Sequence, residues 1–92
     1  MLCGSDQITR GALDSLRELG RSVPSDVAVM GHDNWEHIAT QARPPLSTID
    51  MRLEMVGRRA AELLFEAISG DAESGLHAVP TKLVTRGSTA LA

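Results

Sequence analysis

The run Val27-Ala28-Val29-Met30 sets the terms for everything around it. Four apolar residues stand in a row without the alternation that marks a strand with one wet face. The segment therefore predicts a strand covered on both sides, the habit of parallel sheets flanked by helices. What precedes it agrees. Within "SDQITRGALDSLRELG", Ile8, Ala12, Leu13, Leu16 and Leu19 fall on one face at helical spacing. Ser5 or Asp6 is placed to cap that helix, and Gly20 to end it as a left-handed residue. Met1 to Gly4 is short, apolar and abrupt, and reads as the end of a strand. Strand, helix and strand in succession make a β-α-β unit.

Downstream, "GHDNWEHIATQA" reads as a loop with a short helix over Trp35 to Thr40. Pro44 and Pro45 enforce an extended passage, and "LSTID" predicts a short strand or crossing segment. A second long helix spans Arg52 to Ser69. Leu53, Val56, Ala60, Leu63, Leu64, Ala67 and Ile68 share its apolar face, and Gly70 ends it. A polar loop leads to a last strand, Lys82 to Arg86. The order β-α-β-(α)-β-α-β predicts an α/β fold: a partial parallel sheet with flanking helices. Doubly wound sheets hold five or six strands, so this one is thin, about half of one.

Length and charge narrow the function. Ninety-two residues make one small domain at most. The formal charge is -3, and Arg58-Arg59 is the one adjacent basic pair, so the chain is not expected to grip nucleic acid by itself. Trp35 and Phe65 are the only aromatics, too few for base stacking. A single cysteine, Cys3, excludes an internal disulfide and fits a reducing compartment. No apolar run approaches the roughly 18 residues of a membrane span. These features predict a soluble, cytoplasmic chain with no membrane partner.

Catalytic and metal chemistry find little support. His32 and His37 are five apart, not at the helical i, i+4 spacing of a zinc pair. No metal or cofactor is expected, and His37 and His77 read as solvated surface residues. Ser47, His32 and Asp33 could form a triad on paper. However, no G-x-S-x-G elbow exists, and adjacent His and Asp point apart on an extended backbone. Phosphate and dinucleotide loops are missing. Cys3 reads as a buried strand thiol. The chain is not expected to be an enzyme.

Asp33 is different. It lies three residues beyond Met30, in the crevice outside a strand's carboxyl end where α/β sheets bind ligands. Ser5 and Asp6 hold the matching place after the first strand. Carboxylates there would accept hydroxyl hydrogen bonds from a polyol or sugar. The alternative is that Asp6 and Asp33 only cap helices.

The stretch "SDQITRGALDSLRELGRSVPSDVAVMGHDN" resembles the C-terminal part of the sensor domain of LacI/GalR-type transcriptional regulators. The likeness continues through "PPLSTID" and "EMVGRRAAELLFEAISG" to "VPTKLVTRGSTA". It covers nearly the whole chain, and the ordered set is more specific than any piece. The resemblance implies a type I periplasmic-binding-protein-like fold whose two lobes enclose an effector, usually a sugar or nucleobase. It implies a homodimer in the full-length parent, and DNA contact through a helix-turn-helix headpiece that these residues do not include. Asp33 matches the family's effector-contacting aspartate. Ser5 and Asp6 match its Asn-Asp pair, with serine replacing the asparagine. His32 stands where Tyr or Phe is usual, and Met51 where many members carry Gln. These exchanges imply an effector less polar than a simple hexose.

By the same resemblance, residues 1–50 form the C-terminal sensor lobe, 51–78 a helix and loop of the other lobe, and 79–92 a return strand and tail. The chain then reads as a fragment of a regulator. A piece of a periplasmic-type sugar-binding transport protein is the second reading. The regulator reading carries a prediction: the 92-residue product alone should give no sequence-specific operator shift in a gel-mobility assay. A specific shift at nanomolar protein, roughly the affinity of intact regulators, would overturn it.

Overall fold

The computed structural model describes residues 1–71 and 73–89. Helix α1 spans Asp6–Glu18, α2 Glu36–Ala39 and α3 Leu53–Ile68; strands β1 and β2 are Thr48–Asp50 and Lys82–Val84. The helices start and stop where the sequence places them, within a residue or two. Ser5 is the N-cap of α1, its hydroxyl accepting the Ile8 N–H. Both long helices close in the same glycine-terminated motif. At α1, Gly20 (φ +72) donates to Arg17 O and Arg21 donates to Leu16 O. At α3, Gly70 (φ +96) donates to Ala67 O and Asp71 donates to Glu66 O.

The sheet is thinner than expected. Leu2, Met30 and Ser47 lie side by side in parallel, each neighbour joined by a single bridge. Cys3 N–H donates to Met30 O, and Met30 N–H to Met1 O. On the other side, Gly31 N–H donates to Ser47 O and Asp33 N–H to Ile49 O. The parallel direction is as predicted. The only continuous ladder among the described residues, however, is antiparallel, pairing Thr48 with Val84 and Asp50 with Lys82. The expected strands at 1–4 and 27–30 thus reduce to isolated bridges. The last strand ends at Val84 rather than Arg86.

Ser88 accounts for part of that reduction. Its hydroxyl sits between the Val29 and Ser47 backbones, accepting the Ser47 N–H (2.8 Å) and donating to Val29 O (2.6 Å). Its own N–H and C=O pair with Pro45 O and the Val29 N–H. A buried side chain thus stands where a direct strand-to-strand bond would otherwise form. Of the predicted tail 79–92, residues 90–92 lie outside the described residues.

The core is small and half polar. Leu13, Val29, Ala39, Ala42 and Leu46 are buried beside Asp6, Thr9, Ser47, Thr48 and Ser88. Two sequence expectations need correction here. "VAVM" is not covered throughout, since Val29 is buried but Ala28 is exposed. The buried stripe of α1 is Asp6, Thr9 and Leu13, with Leu16 half-buried, while Ile8 and Leu19 face outward. The helix is rotated so that Asp6 reaches the Trp35 N–H and the Thr48 hydroxyl, which matter more than apolar periodicity on so small a core.

Helix α3 buries no residue, and Leu53, Leu64, Phe65 and Ile68 are all exposed. The chain measures 60 × 21 × 19 Å with a radius of gyration of 17.6 Å, against about 12 Å for a compact domain of this length.

Ser88→Ala would leave the Ser47 N–H and the Val29 C=O without their partner, a cost of about 1–3 kcal/mol for each buried group so orphaned. A fall in urea-unfolding stability of at least about 1 kcal/mol is expected. Unchanged stability would show that Ser88 fills space without stitching the sheet.

Candidate ligand-binding site

"GHDNWE" leaves the central parallel segment and turns sharply into α2. Asp33 (φ +111) and Asn34 (φ +53) both take left-handed backbone, the region disfavoured by a Cβ and most tolerated by Asn and Asp. Four contacts hold the turn. Asp33 N–H donates to Ile49 O and Asn34 N–H to Thr48 Oγ1. Trp35 N–H donates to Asp6 Oδ2 at 2.7 Å, and Asp6 N–H donates to His32 O.

Asp6 is fully buried, and both of its oxygens are engaged, Oδ1 accepting the Thr48 hydroxyl at 2.7 Å. Gly31 makes room for it, because a Cβ at residue 31 would collide with Asp6 Oδ1 and crowd Leu46 and Thr9. Ser5 is half-buried and committed to its cap. These two residues therefore face the interior and the helix end.

Asp33 faces outward. Its side chain is 40% exposed and lies 3.1 Å from His32 through Oδ1 and Nδ1. This corrects the sequence-based argument that neighbouring His and Asp point apart. That argument assumed an extended backbone, and the left-handed turn at Asp33 folds the two side chains together. Ser47 stays remote from them in function: it is buried, and its hydroxyl is taken by Arg86 and Thr89.

Asp33 and Met51 share a hollow of about 400 Å³ with Asn34, Trp35 and Leu53. A second hollow, about 440 Å³, begins at Asp33 and Asn34 and runs along Asp50 and Arg52 to Met55. His32 lines a third, about 360 Å³, with Leu2, Cys3, Gly4 and Ile49. The structure thus brings Asp33, His32 and Met51 to one exposed edge. Cys3 is half-buried at that edge rather than enclosed. His37 is exposed as expected, but His77 is half-buried with Nε2 enclosed. Among the described residues, no group of three His, Cys, Asp or Glu could hold a metal. No helix among the described residues is long and apolar enough to cross a membrane.

Asp50 and Arg86, which hold Asn34 at this edge, were not selected from sequence. Asn34 is held on every side: Arg86 Nη2 donates to its Oδ1 at 3.0 Å, and its Nδ2 donates to Asp50 Oδ2 at 3.4 Å. Arg86 also donates from Nη1 to Leu46 O. Spacing offers no signal for a contact between residues 52 apart in the chain.

Polar groups at the carboxyl ends of parallel segments, with a helix leaving the sheet beside them, stand where α/β domains bind their ligands. The pattern of the periplasmic binding protein-like domain matches residues 1–89. The chain belongs to that family, in the branch that forms the sensor domain of LacI-type transcriptional regulators. It is 39% identical to the HTH-type transcriptional regulator MalR of Streptomyces coelicolor over 93 aligned residues, covering 100% of this chain and 27% of MalR. It is 37% identical to the regulator CelR of Thermobifida fusca, over 96% of this chain and 26% of CelR. A structure of the Lac repressor dimer bound to operator and the anti-inducer ONPF superposes with a TM-score of 0.90 at 32% identity, covering 97% of this chain and 31% of that one. A CelR–cellobiose complex gives 0.81 at 38% identity, over 95% and 27%. The chain thus spans about a quarter of the length of the curated relatives it matches.

Asp6→Ala is expected to strip the Trp35 N–H and the Thr48 hydroxyl of their acceptor and to lower stability by about 2–5 kcal/mol, as breaking a buried network does. Chemical unfolding measures it. A loss below about 0.5 kcal/mol, the scale of an ordinary surface change, would contradict the buried assignment.

Proposed function

We propose that this chain is the effector-sensing part of a LacI-type DNA-binding regulator, and that its ligand is a sugar or a related polyol. Asp33 carries the proposal. Its carboxylate is exposed at a parallel segment's carboxyl end, with Oδ1 against the His32 ring, while Asp6, Ser5 and Asn34 around it are committed to partners within the fold. An exposed carboxylate accepts ligand hydroxyls, and beside it Met51, Trp35 and Leu53 offer apolar surface for a ring face. His32 extends the polar edge, Ser5 and Asp6 support it from behind, and the sugar-bound CelR relative favours the same ligand class.

In this proposal residues 1–50 form one lobe, 51–78 cross to the other, and 79–92 return. DNA contact belongs to a headpiece outside the 92 residues, and the regulator works as a cytoplasmic homodimer without enzymatic activity. The matched relatives are transcriptional regulators, which favours this reading over a transport protein's binding component.

Asp33→Ala in the intact protein is expected to weaken the ligand about 10- to 100-fold, the worth of a charged hydrogen bond or two. In a reporter strain supplied with a series of disaccharides that includes cellobiose, the wild type should respond to at least one and the variant to none. An unchanged response would reduce Asp33 to a turn residue.

A further inference from the structure

Asn34 sits between two charged partners that belong to different parts of the chain. On one side the Arg86 guanidinium forks, Nη1 to Leu46 O at 2.9 Å and Nη2 to Asn34 Oδ1 at 3.0 Å. Its backbone N–H is itself fixed on Ser47 Oγ at 2.7 Å, so the fork is anchored at both ends. On the other side Asn34 Nδ2 donates to Asp50 Oδ2. The amide's orientation follows from chemistry: a guanidinium only donates and a carboxylate only accepts, so oxygen must face Arg86 and nitrogen Asp50. Asp50 spends its second oxygen on the Arg52 N–H at 2.7 Å.

Arg52 is the N-cap of α3 and has left-handed backbone, φ +54 and ψ +52. It turns the chain away from β1. Its carbonyl accepts the N–H groups of Met55 and Val56, so its conformation sets the first turn of the helix. A continuous chain of hydrogen bonds therefore runs from Arg86 through Asn34 and Asp50 to Arg52. It passes beside Asp33 without using its carboxylate. Two of the three left-handed non-glycine residues among those described lie on this path, and the third, Asp33, is next to it.

We propose that Asn34 is a relay between the Asp33 turn and the exit of the chain at Arg52, with Arg86 and Asp50 as positioning residues that hold its amide. A ligand that shifts the Asp33 turn would then change the geometry at the start of α3, and a change at Arg52 would be felt at Asp33, as linkage requires. The ligand part of this statement rests on the function proposed above, but the relay itself is testable without any ligand.

The experiment is amide hydrogen exchange on the intact, ligand-free protein, comparing wild type with Asn34→Asp, Arg86→Lys and the double variant. Asp at residue 34 tolerates the left-handed backbone and still accepts from Arg86. It loses the N–H for Asp50 and sets a like charge beside it. A lysine cannot fork to both Leu46 O and Asn34.

Asn34→Asp should speed exchange at Arg52, Met55 and Val56 about fivefold or more, the low end of ordinary coupling between sites, with α1 unchanged. Arg86→Lys should act on the same amides, and the double variant should do no more than Asn34→Asp. Exchange at those amides within about twofold of wild type in Asn34→Asp would overturn the relay. So would an equal rise in α1, which marks general loosening, or additive effects in the double variant. Failure of the relay leaves the disaccharide response untouched, and failure of that response leaves the exchange result standing.

Discussion

One buried carboxylate organises this structure. Asp6 opens α1, yet its oxygens reach the backbone of Trp35 and the hydroxyl of Thr48, so it joins three separate segments at one point. Placing a carboxylate where no water reaches is costly unless its lone pairs are met by donors. Here a backbone N–H and a hydroxyl meet them, both at 2.7 Å. The arrangement works only because residue 31 is glycine, since any side chain there would occupy the oxygen's place. The backbone beyond Gly31 is then free to turn left-handed at Asp33 and Asn34, because both sides of the turn are anchored.

The same use of polar groups extends through the core. Thr9 is buried and returns its hydroxyl to Ser5 O at 2.6 Å, while Ser88 and Ser47 hold the parallel segments together. Five buried apolar residues among those described make a small core. A core of that size is specified by matched donors and acceptors more than by area. It also explains why the parallel segments never become long strands. Side-chain oxygens take over positions that a longer sheet would give to its own backbone.

These facts explain which parts of the structure the sequence discloses. Helix ends were legible, because Ser5, Gly20 and Gly70 act within a few residues of themselves. The parallel run of the Leu2, Met30 and Ser47 segments was legible from the strand-helix-strand order, but the antiparallel pairing of Thr48–Asp50 with Lys82–Val84 was not. The face of α1 was not. Apolar spacing favoured Ile8 and Leu19, and partners 29 and 42 residues away turned the helix toward Asp6 instead. At the edge that carries Asp33, the residue's position after Met30 was readable, but its approach to His32 depended on a positive φ that spacing does not encode. The Arg86 contact with Asn34 joins residues 52 apart in the chain, and local pattern is silent about such pairs.

Helix α3 presents a different physical problem. Its apolar stripe was read correctly as a stripe, yet it packs on no other element of the described chain to the point of burial. Burying Leu53, Leu64, Phe65 and Ile68 would contribute about 6–12 kcal/mol, comparable to the whole stability of a small domain. A helix that long, held at its root by a single left-handed residue, does not direct itself. Its orientation depends on whatever covers the stripe and on the hydrogen bonds at Arg52. The bond from the Arg52 N–H to Asp50 therefore stands at the root of the helix. On one side lie segments fixed by buried polar contacts, and on the other a helix that buries no residue. Small changes in the Asp33 turn act at the root of a lever about 24 Å long.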